Sequence, residues 1–421
     1  MEHTPSSIPD EKLLAWLRLS HVPNIGPVLV KRVVAALGSP EAVLAARPPR
    51  LAAVEGIGTM RANAFSAAAT LDDARRELDA ARAHGFEILC ADDPRWPAGL
   101  KPIPDPPITL FLRGQLLPQD NLAIGIVGAR QCTLYGREQS ARFGTLLATG
   151  GFTVISGGAR GIDTAAHEGA LRAKGRTIVI QGCGLLNTYP PENAGLYDRI
   201  VAEGGAILSE LPLDAPPVKE NFPPRNRIIA GMSLGILVVE ANLRSGSLIT
   251  ARLAADDYGR EVFALPGRVD SPASAGTHHL IKNASAHLVE NLEDILAALG
   301  DVGRALTNIQ TAAPDGARNV NHTGCHAPDG AGAPSGACRN DAPSLFDRNT
   351  PAPSPPPHAE PQTFTGPQQR ILAALDGQSV SIDDLVELTA MPASVLMAEL
   401  TILQIRGIVS RNPGNRFSRR T

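Results

Sequence analysis

The residues of this chain best suited to chemistry sit in loops rich in glycine, serine and arginine, each following a short apolar run. Ser156-Gly157-Gly158-Ala159-Arg160-Gly161 is the clearest, and Ser245-Gly246-Ser247 repeats the idea. Glycine lets main-chain N–H groups close around an anion, and the first turn of a following helix adds positive potential. Cations fall in loops of the same kind: Arg130, Arg160, Lys219, Arg225, Arg227, Arg244 and Arg268. As a set these residues point to phosphate binding, although any one glycine loop equally fits a tight turn.

Two familiar phosphate signatures are missing. No Gly-x4-Gly-Lys-Ser/Thr sequence occurs, which argues against a P-loop ATPase. The stretch 125–130 reads GIVGAR rather than the dinucleotide fingerprint Gly-x-Gly-x-x-Gly. Asp163 and His167 lie one helical turn apart after the Ser156 loop and fit an acid/base pair. They fit better a loop-capping carboxylate and a locally bonded imidazole, because no nucleophile accompanies them. Cys183, in Gly-Cys-Gly, has no activating histidine nearby and reads as a small buried residue. His322, Cys325, His326 and Cys338 match no common zinc spacing.

The elements that must position these loops are legible as alternating strands and helices. Near-continuous apolar runs at 122–129, 152–156, 176–182, 206–211, 235–241 and 261–267 suit strands buried on both faces. Amphipathic stretches lie between them. The expectation is an α/β fold with a doubly wound, Rossmann-like parallel sheet, whose ligands sit outside the carboxyl ends of the strands. Four zones follow from composition: a helical domain at 1–118, the sheet core at 119–300, a Pro/Gly-rich linker expected to be disordered at 301–364, and a helical module with a basic end at 365–421. The linker repeats APDGA at 313–317 and 327–331.

The N-terminal zone holds two similar pieces, Val22–Gly38 and Val54–Ala69, each an apolar-x-Gly turn leading into a helix. That is the pattern of a helix-hairpin-helix, in which Gly26 and Gly58 would let backbone approach a phosphate. A small helical bundle with tight turns is the competing reading; Lys31, Arg32 and Arg61 are the nearby cations. At the other end, 367–406 reads as three helices, with Ser381 as a cap and Asp384 three residues on. Residues 408–420 read as a two-stranded basic wing around a Pro-Gly turn. Such a winged helix fits either duplex DNA or a protein partner.

Bulk composition sets limits. The chain has 421 residues, a net charge of −3 and only 4% aromatics. Polybasic binding through overall charge is excluded, while a focused basic cleft is not. Five cysteines without regular spacing form no disulfide framework. No apolar run is long enough to span a bilayer and no signal peptide is evident, so the expectation is a cytoplasmic protein. No cofactor is expected.

The stretches IVGAR, SGGARGIDTAAHEGAL, GCGLLNTYPPEN, LSELPL, FPPRNRIIAGMS, VVEANLRSGSLITARLAADDYGREVFALPG and GTHHLIKN, in this order across 122–290, resemble the DNA-processing protein A (DprA, or Smf) family. The resemblance implies a non-enzymatic, homodimeric protein that binds and protects incoming single-stranded DNA on its Rossmann-like core. It implies loading of RecA onto that DNA during natural transformation, displacing or bypassing single-strand-binding protein. It assigns phosphate contacts to Arg130, Ser156, Gly157, Gly158, Arg160, Arg225, Asn226, Arg227, Ser245 and Ser247, with Lys219 in a more variable loop. The sequence departs from the family at Leu186, where Asp is usual, at His278, where Asn is usual, and at Ala284-Ser285 in place of Gly-Ala.

Two other functions remain open at this level. A nucleotide-processing enzyme on a lysine-decarboxylase-like Rossmann fold would need a Pro-Gly-Gly-x-Gly-Thr loop with a nearby glutamate. The comparable place reads SGSLITA. A transcription regulator would rest on the C-terminal module alone.

Overall fold

The computed structural model describes residues 8–66, 70–300, 302–303 and 366–375, together with 380–389, 391, 396, 400, 403, 408–412 and 416–419. It forms two compact units, Met1–Leu306 and Thr307–Thr421.

The first unit is organised by a nine-stranded sheet. Its strands are β1 (Glu87–Cys90), β2 (Thr109–Gly114), β3 (Ala123–Val127), β4 (Thr153–Ser156), β5 (Thr177–Gln181), β6 (Ala206–Ser209), β7 (Gly235–Val238), β8 (Glu261–Ala264) and β9 (His287–Leu288), in spatial order β1-β2-β6-β5-β4-β3-β7-β8-β9. Each of the six expected apolar runs contains one strand of the sheet, β3 to β8. From β6 to β9 every neighbouring pair is parallel, whereas β1–β2 and β2–β6 are antiparallel. The sheet is therefore mixed and mostly parallel rather than wholly parallel. Two strands of the zone read above as helical, Glu87–Cys90 and Thr109–Gly114, belong to the sheet.

Strand alternation explains the continuous apolar runs. On β3, Ile124 and Ile126 face a core built with Phe143, Leu147, Ile162 and Ala166. Ala123 and Val127 face the opposite core, shared with Ile228, Ile229 and Met232. Both faces are covered, so each strand position must be apolar. On the first face the helices Leu134–Thr149 and Ile162–Arg172 pack backbone to backbone. A Cβ on Gly144 would stand 2.4 Å from the Ala166 carbonyl oxygen, and one on Gly169 would stand 2.2 Å from that of Ala141. Glycine at both places is what lets the two helices approach.

The N-terminal helices run from Asp10–Ser20 to Leu71–Ala83 and share a core with the antiparallel end of the sheet, through Ile88, Cys90 and Phe111. Ser39 and Thr70 cap two of them: the Ser39 side chain accepts the Ala42 N–H, and Thr70 and Asp73 form a reciprocal capping box.

The second unit contains helices Gly366–Ala374 and Ile382–Thr389 and a three-stranded sheet of order β10-β12-β11. Here β10 is Val380–Ser381, β11 is Val409–Asn412 and β12 is Arg416–Arg419. The antiparallel β11–β12 pair is the expected wing. Leu385, Leu396, Leu400, Leu403 and Phe417 fill its core. The linker cysteines and histidines, the Pro-Gly turn and most of the expected third helix lie outside the described residues.

Candidate nucleic-acid interface

Strand order reverses at β3, between the β6–β4 half and the β7–β9 half. In an open α/β sheet such a reversal leaves a crevice at the carboxyl edge, because the adjoining loops leave in opposite directions. The crevice between β3 and β7 is tied shut at its base. Ala129 N–H donates to the Glu240 carbonyl at 2.8 Å, and Val239 N–H to that of Val127 at 3.1 Å. The buried Glu240 carboxylate accepts the Thr133 N–H at 2.9 Å and the Thr133 hydroxyl, fixing the start of helix Leu134–Thr149. Gly136 must be glycine there, since its Cβ would lie 2.4 Å from Glu240 Oε2. Glu240 is a functional position that the loop motifs alone do not single out; its place two residues past the end of β7 is the available signal.

Above this base lies a cavity of about 310 Å³. Its lining brings together Arg130, Lys219, Arg225, Asn226, Ser245 and Ser247. Arg130 and Lys219 are exposed, and neither forms an ion pair among the described residues. The Ser245 and Ser247 hydroxyls bond each other at 2.8 Å, while the two N–H groups are used within the loop, Ser245 donating to the Asn242 carbonyl at 3.0 Å and Ser247 to Ser245 Oγ at 3.4 Å.

Arg225 is buried. Its Nη1 donates to the Gly157 carbonyl at 2.6 Å and to that of Ile180, and its Nε to Asn226 Oδ1 at 3.2 Å. It therefore joins the loop after β4 to the end of β5 while contributing positive charge to the crevice. The guanidinium carbons of Arg130 and Arg225 stand 5.0 and 5.8 Å from the Phe222 ring centroid, and Tyr189 packs against the same ring at 5.3 Å. Phe222 was missed by sequence reasoning, which weighed aromatics by their overall scarcity. Its place between Lys219 and Arg225 was the usable clue.

Other residues expected to contact phosphate lie elsewhere. Ser156 is fully buried, its hydroxyl donating to the Ile126 carbonyl at 2.6 Å. Gly157 is buried against Arg225 and Asp163. Gly158 has φ +64°, and a Cβ there would lie 2.1 Å from the Tyr197 hydroxyl. Ser156 closes the end of β4 and the two glycines shape the loop from within; none of the three lines the crevice. Arg160 lies in a neighbouring cavity, paired with Glu192. Arg227 points away from the crevice, buried in an ion pair with Glu210 and 3.7 Å from Asp105. Helix Phe222–Met232 separates it from Arg225, because residues two apart face different sides. Arg268 pairs with Asp270 at 2.9 Å, and Arg244 is exposed.

The Asp163 and His167 pair takes its bland form. Asp163 accepts the Ala159 N–H at 3.2 Å; burial pushes its carboxyl up to about 6, opposed by the Arg225 charge. Thr177 donates its hydroxyl proton to the Val154 carbonyl and so accepts from His167 Nδ1 at 2.7 Å. That leaves His167 Nε2 a buried acceptor without a partner among the described residues, and burial drops the imidazole to about 3. A neutral ring is the form such a site tolerates. Cys183 is fully buried, and its thiol is pushed up by desolvation.

The N-terminal cations are already engaged. Lys31 donates to the Ile103 carbonyl at 3.0 Å, Arg32 to that of Glu55 at 3.1 Å, and Arg61 to that of Gly56 at 2.6 Å. Of the unusual positions, Leu186 is exposed and His278 Nε2 contacts the Gly267 backbone. Ala284 has φ +54°, a left-handed conformation that favours glycine. Among the described residues no helix is long and apolar enough to cross a membrane, and no group of metal-ligating side chains gathers.

A mostly parallel α/β sheet with cations and serine loops gathered at its switch point defines a Rossmann-like fold with a cationic crevice. Comparison with known proteins makes this specific. Residues 87–300 match the family model for DNA recombination-mediator protein A, 10–80 a DprA-like N-terminal helix-hairpin-helix domain, and 350–415 a DprA winged helix domain. Protein Smf of Synechocystis is 35% identical over 412 residues, 96% of this chain and 98% of that one. Protein Smf of Escherichia coli is 47% identical over 212 residues, 50% of this chain and 56% of that one. The X-ray structure of DNA processing protein A from Streptococcus pneumoniae superposes with a TM-score of 0.53 at 33% identity, covering 67% of this chain and 95% of that one. The chain belongs to the DNA-processing protein A (DprA/Smf) family.

Proposed function

We propose that this protein binds single-stranded DNA along the carboxyl edge of its sheet, chiefly by phosphates, and hands that DNA to RecA during DNA uptake. The observation that carries the reading is the convergence of Arg130, Lys219 and Arg225 with Asn226, Ser245 and Ser247 on one crevice. Cations and hydroxyls without base-reading pairs suit a polyanion of any sequence. The Phe222 ring beside two guanidiniums offers one base a stacking face. Membership in a family described as a recombination mediator supports the recombination setting.

Binding is favoured over catalysis because the crevice acids are spent on structure: Asp163 on the Ala159 N–H and Glu240 on Thr133. The protein acts in the cytoplasm as a homodimer and displaces or bypasses single-strand-binding protein. The test is RecA filament assembly on single-stranded DNA coated with that protein. Adding this chain should accelerate assembly. No acceleration at concentrations that saturate the DNA would remove the RecA step and leave binding alone.

A further inference from the structure

Beside the crevice, across Arg130, lies a second cavity of about 570 Å³. Its lining includes three guanidiniums, Arg130, Arg137 and Arg160, and two carboxylates, Glu168 and Glu192. Arg130 lines both cavities, so a strand lying in the first reaches the second without leaving that side chain. The two outer arginines differ in state. Arg137 is exposed and forms no ion pair among the described residues, while Arg160 is held by Glu192 through Nε and, at 3.0 Å, through Nη2. This bidentate arrangement is the one a phosphate would adopt on the same guanidinium.

The pair does not hold the loop together. Asn193 Nδ2 bonds the Gly158 carbonyl and the Thr164 hydroxyl, each at 2.9 Å. The Tyr197 hydroxyl bonds the Gly158 and Tyr189 carbonyls at 3.2 and 3.1 Å. Both of those anchors are buried, whereas the side chains of Arg160 and Glu192 are 49% and 52% exposed. An exposed ion pair adds little to stability, so this one is free to exchange. Arg160 also has a resting place, its guanidinium carbon 5.8 Å from the Tyr189 ring centroid.

We propose that Glu192 is a built-in competitor for DNA: its carboxylate occupies Arg160 in the free protein and must be displaced by a backbone phosphate as the strand extends from the crevice into the second cavity. This rests on the reading of the crevice as a single-strand site. The consequence is graded binding. Short strands engage Arg130, Lys219 and Arg225 alone, and longer strands recruit Arg160 against the opposition of Glu192. Glu192 thus weakens binding and sharpens its dependence on strand length.

The test is the affinity of the full chain for a labelled oligothymidylate, long and short, at fixed salt. Glu192→Gln should tighten binding of the long strand about fivefold, with Glu192→Ala as a check against a residual hydrogen bond. The gain should vanish when Arg160→Ala is added, because the carboxylate acts through that guanidinium. Glu168→Gln serves as a control for general repulsion, and its gain should survive Arg160→Ala. Melting temperatures should stay at the wild-type value in the Glu192 variants. Unchanged or weaker binding in both, or a gain that persists without Arg160, overturns the proposal. Arg130→Ala separates the two levels. If it weakens binding while Glu192→Gln changes nothing, only the competitor is lost; if it changes nothing either, the crevice reading fails as well.

Discussion

Gly161 joins the two loops on which the crevice depends, and replacing it with alanine should damage fold and binding together. Its backbone sits at φ +78°, ψ −116°. That conformation costs a side chain on the order of 1–3 kcal/mol. A Cβ there would also stand 2.5 and 2.6 Å from the carbonyl oxygens of Ala129 and Arg130. Both obstacles are backbone and cannot swing aside, so the loop after β3 must shift to reach ordinary contact. Together these effects place the destabilisation of Gly161→Ala at about 3 kcal/mol, read in urea unfolding as a lower midpoint with unchanged slope. One of the two displaced carbonyls is that of Arg130, so the folded variant should also bind an oligonucleotide more weakly. Wild-type stability and affinity in this variant would refute the claim that the loops after β3 and β4 interlock.

Other perturbations separate structural cations from binding ones. Arg227→Ala should cost about 2 kcal/mol, because it leaves the half-buried Glu210 carboxylate without its partner; oligonucleotide affinity of the folded fraction should stay near wild type. Acid stability should reflect His167, whose value falls from 6.5 to about 3 on folding. The unfolded chain then gains a proton that the fold refuses, so stability declines as pH falls from 6.5 toward 3, by roughly 2 kcal/mol at pH 5. Asp163 runs the other way: its value rises from 3.8 to about 6. Its protonation favours the fold below 3.8, an advantage lost as pH rises through 6, and offsets roughly 1.4 kcal/mol at pH 5. His167→Asn should therefore flatten the decline in unfolding free energy with acid, and an unchanged pH slope would contradict a neutral buried ring.

Much of the fold was readable because buried parallel strands must be apolar on both faces, as Ala123–Val127 is. The edges were not. Glu87–Cys90 and Thr109–Gly114 flank a proline-rich stretch and pair antiparallel, so they lack the strand-loop-helix rhythm that marked the core. His287–Leu288 is too short and exposed to show a pattern. At the site, the loops were legible from glycine and arginine, but burial was not. Arg225 and Arg227 look alike in FPPRNR, yet helical geometry turns one to the crevice and the other to Glu210. Ser156 reads as a loop donor, yet it is the last residue of β4 and its hydroxyl is used inside the sheet.

The central claim is that exposed crevice cations hold a strand by its phosphates, and the salt dependence of oligonucleotide affinity for wild type and Arg130→Ala tests it most directly. Arg130 is exposed, and no acid among the described residues pairs with it, so its loss should leave the fold intact. Each phosphate contact on a single strand contributes about 0.7 to the slope of log affinity against log salt. The account predicts a steep slope for wild type, shallower by about that amount in Arg130→Ala, with weaker binding across all sequences. Equal slopes and equal affinities for the two proteins would contradict it.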